Sequence, residues 1–495
     1  MKKIGFTWLI EKLSITGYLL THESYIGTVD KIEISSQNTI IRTFKPKYDV
    51  SDNFFAHLEF AIKYDDLNLA LLKEIFLAVD NNQLEKYIHE KPNLKYRRII
   101  GYFYEFTTNK KIPITINSTN YIDLLDDSKY VTGTAIKIQK WKINDNLLGT
   151  SNFCPIIRKT TELSELLVWD LKNELVHLKQ SYNSEVFKRA SYYLFKKESK
   201  SSSEIEQEDP PKDRMDKFIF LLENAGEKTF EESLSEESLV HIQSQLVDPR
   251  YANTKYRDYQ NYVGQTMRDF SQKIHYICPP PEFVKSLMLG IASLNNKSQN
   301  VHPILKATMV SFGFVYIHPF EDGNGRIHRY LIHDILVRNN VFPYKTIVPV
   351  SAKILANMQE YDTTLEQVSK QVEQKAIYDL NSNGTLKVNN PSEIEGLYRF
   401  PDFTKHAIFL IKAIKSTVNE EIPEELLFLQ RFDELKKDIQ HIVDMPDKKL
   451  DFIIVLLNQN NGQLSVKKRK LFPELTDDEI LKMETAYQEV FNSKY

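Results

Sequence analysis

The stretch His318-Pro319-Phe320-Glu321-Asp322-Gly323-Asn324-Gly325-Arg326-Ile327-His328-Arg329 holds the residue types that phosphoryl-type chemistry needs, in a workable order. Gly323 and Gly325 flank Asn324, a spacing that suits a tight turn with exposed backbone N–H groups. Apolar periodicity resumes through Leu331, Ile335 and Leu336, so a helix follows the turn. Glycines at a helix N-terminus make an anion site, because the free N–H groups and the helix dipole point the same way. Arg326 and Arg329 are three apart and share a helix face, and two guanidiniums beside an anion nest suit a polyphosphate. Asp322 offers a hard oxygen ligand for Mg²⁺ against those phosphates. His318 lies just upstream, where an imidazole of near-neutral pKa can serve as a base. Base, metal ligand, anion nest and paired arginines together describe transfer at phosphorus.

Other readings of these residues are simpler or differ in class. A Gly-Asn-Gly turn with incidental charges would leave the ordering of the other elements unaccounted for. A metal phosphohydrolase would draw on His318, Asp322, His328, His333 and Asp334, but His328 and His333 are five apart, off the i, i+4 spacing of helical metal ligands. A nucleotide-sensing interaction module would have no need of His318.

The segment resembles the Fic domain family, whose signature is HxFx(D/E)GNGRxxR. Its fixed positions correspond to His318, Phe320, Asp322, Gly323, Asn324, Gly325, Arg326 and Arg329. Tyr256-Arg257-Asp258-Tyr259-Gln260-Asn261-Tyr262-Val263-Gly264 is similar to the family's YRxxQNxxG segment. Ile274-His275-Tyr276-Ile277 resembles the flap, a hairpin that positions the target segment. Asn357 and Tyr361 sit where the family places residues near the nucleotide base. The resemblance implies a protein adenylyltransferase: a target Ser, Thr or Tyr hydroxyl attacks the α-phosphate of ATP and pyrophosphate leaves. It implies His318 as the base, Asp322 as the Mg²⁺ ligand and Phe320 as a core anchor. Gly323, Asn324 and Gly325 would cradle phosphates, with Arg326 and Arg329 on the β and γ groups. ATP and Mg²⁺ are the implied cofactors, and a protein with an exposed hydroxyl is the implied partner, with self-modification and a homodimer also within the family's range. DeAMPylation or another nucleotide donor belongs to that range too. Many members hold an inhibitory helix of pattern (S/T)xxxE(G/N). Here Ser202 and Glu206 match, while Gln207 departs from the usual Gly or Asn. The resemblance places residues 199–208 in such a helix, with Glu206 on Arg329; composition alone reads the same stretch as a flexible linker.

The elements that must position these residues are legible in outline. The expected fold class is mainly α: a helical core over 213–375 with a short β-hairpin flap, a mixed α/β domain over 1–180, the inhibitory segment at 181–212, and a helical region over 376–495. Leu67, Leu71, Leu72, Ile75 and Phe76 recur at helical spacing and predict a helix over 66–79. Ile136–Gln139 alternates apolar and polar residues, as a half-buried strand does. Arg97-Arg98 reads as a solvated or locally paired arginine pair. Pro281 is suited to begin a helix. Phe428, Phe432, Leu435, Ile439 and Ile442 form an amphipathic stripe, and Thr476-Asp477-Asp478-Glu479 opens a last helix as a capping box. Lys467-Lys468-Arg469-Lys470 reads as a solvated basic face.

Composition narrows the setting. A length of 495 residues suggests two to four domains, and a formal net charge of −3 gives no reason to expect a nucleic-acid or membrane partner. The chain has 2 cysteines, Cys154 and Cys278, which points to a reducing cytoplasm. The apolar N-terminal stretch is broken at Glu11 and Lys12, which reads as a folded start and not a signal peptide. No charge-free run approaches the roughly 20 apolar residues of a membrane span.

Overall fold

The computed structural model describes residues 1–36, 39–268, 272–341, 346–381 and 383–492. Helix accounts for 58% of the chain and the sheets are small, so the fold is mainly α. The N-terminal sheet has the order β1-β2-β4-β3, from β1 (Lys2–Lys3), β2 (Glu23–Ile26), β3 (Lys31–Ile34) and β4 (Ile40–Phe44). The helix α1 (Gly5–Leu13) crosses from β1 towards β2, and Asp65 ties it to the sheet by accepting from the Phe6 N–H and the Ser24 hydroxyl. Helices α2 (Phe54–Tyr64), α3 (Leu69–Ala78), α4 (Asn81–Glu90) and α5 (Lys95–Thr108) follow. Asn53, Asn68 and Asp80 cap the first three by accepting from backbone N–H groups of the first turn, which sets where each begins. Arg98 is buried, with its guanidinium on the carbonyls of Trp141, Asn120 and Lys142; Arg97 pairs with Glu59 and Glu90. The arginine pair is therefore structural.

A second small sheet, β5 (Ile122–Asp123), β6 (Ile136–Ile138) and β7 (Ile143–Asp145), has the order β5-β7-β6. β6 lies at its edge with Ile136 exposed, so the alternation there does not mark a buried face. Helices α6 (Thr161–Leu167) and α7 (Leu171–Ser181) lead to α8 (Ser184–Ile205), a helix of 22 residues that runs through the stretch of linker-like composition. Asn183 caps its start, and its later half buries Leu194, Phe195, Glu198, Ser199 and Ser202, a stripe at helical spacing. Neighbouring helices, not local propensity, keep this serine-rich segment helical.

Next come α9 (Lys212–Glu223), α10 (Phe230–Ser233) and α11 (Glu236–Leu246), then the hairpin β8 (Tyr262–Thr266) and β9 (Gln272–Ile277). Pro281 starts α12 (Pro281–Ala292), and α13 (Leu294–Lys297) is a short turn. α14 (Pro303–Ile317) and α15 (Asn324–Arg338) pack together and are buried almost all round, as the central helices of a core must be. α16 (Val350–Ala356) and α17 (Met358–Lys375) follow, then the hairpin β10 (Tyr378–Leu380) and β11 (Leu386–Val388). The chain ends in α18 (Pro391–Arg399), α19 (Thr404–Ser416), α20 (Ile422–Ile442), α21 (Asp447–Gln459), α22 (Val466–Arg469) and α23 (Asp477–Asn492). Thr476 and Glu479 make the reciprocal bonds of a capping box at the start of α23.

One continuous core joins buried residues from Phe6 to Leu429, and it does not break near 180 or 375. A second core runs from Leu435 to Val490, with α20 shared between the two.

Candidate active site

Four elements converge on the loop between α14 and α15. His318 caps α14 in the left-handed region, φ 52°, ψ 58°, which turns the chain towards the loop. Its Nδ1 lies 3.2 Å from the Val315 carbonyl, a contact that only an N–H makes, so Nε2 is the bare nitrogen. Burial pushes the His318 pKa down to about 4, against the opposing pull of that carbonyl. The near-neutral value expected from the sequence is not what this environment supplies; the imidazole is uncharged at pH 7.

The loop is held from several sides. Arg257 is buried, and its guanidinium donates to the carbonyls of His318 (2.8 Å), Tyr259 (2.8 Å), Pro279 (2.7 Å) and Ile317 (3.2 Å). One side chain thus ties the His318 backbone to the root of the β8–β9 hairpin. Asn324 closes the turn by accepting from the Phe320 N–H at 3.1 Å and donating to the Phe320 carbonyl at 2.9 Å. Phe320 is fully buried and anchors the loop beside Tyr256 and Phe314. Gln243 of α11 donates to the Asp322 carbonyl. Gly323 has φ 86°, which a side chain would strain, and its N–H bonds to Asp322 Oδ1.

α15 begins at Asn324, so its N-terminus faces this loop. A carboxylate from the same chain lies there. Glu206, at the C-cap of α8, sits so close to Gly325 that a Cβ on that glycine would overlap its carboxylate. Arg329 is 1% exposed and donates to Glu206 Oε1 (2.7 Å), to Ser202 Oγ (2.7 Å) and to the Ser202 carbonyl (2.8 Å). The Ser202 carbonyl is available because the Glu206 N–H bonds to Ser203 instead as the helix tightens at its end. Burial would raise the Glu206 pKa, but Arg329, then Arg326 and His318, outweigh it and hold the carboxyl below its ordinary value. The helix stops one turn earlier than the 199–208 segment expected from the pattern. Gln207 takes the left-handed conformation, φ 56°, with the Glu208 N–H bonded back to the Ser203 carbonyl. A residue without a Cβ penalty is the ordinary choice there, which is the physical content of the Gly or Asn usual at this position.

Arg326 is engaged as well. It donates to both carboxylate oxygens of Glu208 (2.8 and 3.1 Å), to the Leu246 carbonyl (2.7 Å) and to Asp322 Oδ1 (3.1 Å).

A family model described as the Fic/DOC family matches residues 233–336. A Fido domain-containing protein of Dictyostelium discoideum is 32% identical over 124 residues, which cover 23% of this chain and 82% of that protein. The chain belongs to the Fic/DOC family. Protein adenylyltransferase Fic of Culex quinquefasciatus is 35% identical over 94 residues, 19% of this chain and 17% of that protein. A probable protein adenylyltransferase of Aquifex aeolicus is 29% identical over 128 residues, 26% of this chain and 38% of that protein. The chain therefore matches well under half the length of these two adenylyltransferases.

The hairpin strand β9, which carries the residues expected to form the flap, pairs Ile274 with Gly264, and Tyr276 with Val263. Tyr276 and Ile277 are buried at its root, where the Tyr276 hydroxyl donates to the Tyr316 carbonyl, while His275 points to solvent. Tyr361, on α17, is buried close to Arg329, its ring 6.3 Å from that of His328. Asn357 lies exposed at the junction of α16 and α17 and bonds back to the Lys353 carbonyl. The phosphohydrolase set is dispersed: His333 faces Glu198 and Asp334 pairs with Arg338. No group of three or more His, Cys, Asp or Glu residues is arranged for a metal among the described residues. Among the described residues no helix is long and apolar enough to cross a membrane.

Sequence reasoning missed Glu208, Gln243 and the bracing role of Arg257. Nothing in the sequence marked Glu208, because its approach follows from the reversal at Gln207. A residue two beyond a helix end, after a left-handed turn, comes back towards the same neighbours as the cap.

Proposed function

We propose that the Fic core transfers AMP from ATP to a Ser, Thr or Tyr hydroxyl of a protein, and that α8 holds the site off. The observation that carries this reading is the Glu206 carboxylate on Arg329 and over Gly325, an anion of the chain lying in an anion-binding site. The names of the relatives support adenylyl transfer as the reaction.

In the reaction, the target oxygen attacks the α-phosphorus of ATP. A new P–O bond forms, the bond to the β-bridging oxygen breaks, and pyrophosphate leaves with the electron pair. The hydroxyl proton passes to Nε2 of His318, the nitrogen left bare by the Val315 contact. The N–H groups at the start of α15 and the two arginines would hold the phosphates. Asp322 fits a Mg²⁺ ion: its side chain is about half exposed, and Oδ1 takes the bonds from Gly323 and Arg326, leaving Oδ2 for a metal. Such an ion would complete its shell with nucleotide phosphates and water, as Mg²⁺ commonly does. It would neutralise charge on the phosphates. While Glu206 holds Arg329, the γ-phosphate meets a negative charge. ATP then lies with its α-phosphate out of line, and a misplacement near 1 Å can cost roughly 10²-fold in rate. Cys154 and Cys278 are both buried and unpaired, which fits a cytoplasmic enzyme.

The test is incubation with ATP labelled at the α-phosphate. Wild type should label weakly and Glu206→Gly strongly. Adding His318→Ala to Glu206→Gly should lower labelling by roughly 10²–10⁴-fold. Undiminished labelling by the double variant would remove His318 from the mechanism, and label recovered as free AMP instead of on protein would overturn the transfer reading.

A further inference from the structure

Glu206 is one of two carboxylates that the end of α8 delivers to the motif arginines. Glu208 grips Arg326 with both oxygens, a fork-on-fork pairing of the kind a phosphate makes with a guanidinium. The turn at Gln207 makes this possible. Its φ of 56° reverses the chain, so residues 206 and 208 face the same helix start from opposite sides of one peptide turn. Arg326 has its terminal N–H groups all engaged, and its Nε, without a hydrogen-bond partner among the described residues, is buried. Its remaining terminal donor positions are taken by the Leu246 carbonyl and by Asp322, and its side chain is 3% exposed. A phosphate reaches those N–H groups by displacing a carboxylate, and Glu208, whose side chain is 32% exposed, holds two of the four.

We propose that Glu208 is a second phosphate surrogate that sets how tightly the site binds a nucleoside diphosphate or triphosphate, while Glu206 sets whether the bound nucleotide is aligned to react. The proposal rests on the adenylyltransferase reading for the identity of the ligand. The two carboxylates differ in how firmly they are held. Glu208 is raised in pKa by burial, and beyond the attraction of Arg326 the nearby charges of Asp322 and Glu206 push it the same way. Glu206 is lowered. Three carboxylates, Glu206, Glu208 and Asp322, therefore share two arginines, and Glu208 is the one the crowding works against. It is the first to yield to an incoming phosphate.

The test measures binding separately from transfer, by titration calorimetry of the full chain with Mg-ATP, Mg-ADP and AMP. Glu208→Gln should tighten ATP and ADP about tenfold, about what one charge-assisted hydrogen bond is worth, and leave AMP unchanged. At saturating ATP its labelling should stay within about twofold of wild type. Glu206→Gly should do the reverse, with a large gain in labelling at saturation and little change in affinity. Glu208→Asp, which keeps the charge, should restore most of the wild-type affinity. An unchanged ATP affinity in Glu208→Gln, an equal gain for AMP, or saturated labelling as high as that of Glu206→Gly would overturn the proposal. If Glu208→Gln tightens ATP and ADP but no variant labels protein, the phosphate-surrogate assignment stands and the transfer reading falls.

Discussion

Two glutamates on α8, eight residues apart and on the same helix face, meet different fates. Glu198 is fully buried; it accepts from the N–H and hydroxyl of Ser351 and faces His333 at 3.2 Å. Glu206 is about one-third exposed and sits on Arg329 at the start of α15. Both are carboxylates with good partners, but the partners differ in what else they can do. Ser351 and His333 lie in the interior, where no solvent-borne anion reaches them. Arg329 and the N-terminus of α15 offer the same donors to any anion that enters. A buried carboxylate becomes a structural tie where its partners have no alternative, and a removable lock where they have one.

The largest effect that would break this comparison is on stability. Glu198→Ala leaves the buried Ser351 N–H and hydroxyl without their acceptor, at about 1–3 kcal/mol for each unmet group. Glu206→Gly should cost less, because Ser202 keeps its two bonds to Arg329 and the Glu206 side chain that is lost is itself about one-third exposed. Urea denaturation of the two variants measures the difference; equal losses would put both residues in one class.

Acid should separate the fold from the lock. His328 is fully buried, and burial pushes its pKa down to about 3; burial likewise takes His406 to about 3 and His57 to about 4. In the unfolded chain these imidazoles take up protons near pH 6.5, so the unfolded state binds more protons and stability falls as pH drops below 6.5. His328 alone should account for about 2 kcal/mol of that loss by pH 5. The sign for Glu206 is the same but its window lies lower: its folded pKa is held below the ordinary carboxylate value, so its contribution is fully present above that value and is lost only as pH falls through the folded one. Between pH 7 and 5 the melting temperature should drop while the labelling ratio of Glu206→Gly to wild type stays level. A ratio that collapses in this window would show that the lock titrates with the fold.

The smallest expected effect concerns the fit of the lock. Gln207→Gly relieves a left-handed residue and should stabilise the end of α8 by about 1 kcal/mol. That should hold Glu206 and Glu208 in place more of the time and lower wild-type labelling by about fivefold. Higher labelling in this variant would mean that the turn holds the carboxylates out of the site.

The sequence by itself determined the chemistry of the loop and the helices that frame it. His318, Asp322, the glycines and the arginines are close in the chain, so local geometry alone brings them together: Gly323 turns, Asn324 clasps the Phe320 backbone, and α15 starts there. The spacing of Ser202 and Glu206 also fixes their shared face once the segment is helical. That it is helical was decided by tertiary structure, because Lys196–Asp209 has linker composition and stays ordered only through burial of Phe195, Glu198 and Ser202 against other helices. The second carboxylate lock was likewise hidden, since Glu208 and Arg326 are far apart in sequence and meet only through the reversal at Gln207. The depressed pKa of His318 was hidden for a related reason. Desolvation sums over everything packed around a group, and α14, α15, Arg257 and the flap root reach His318 from distant parts of the chain.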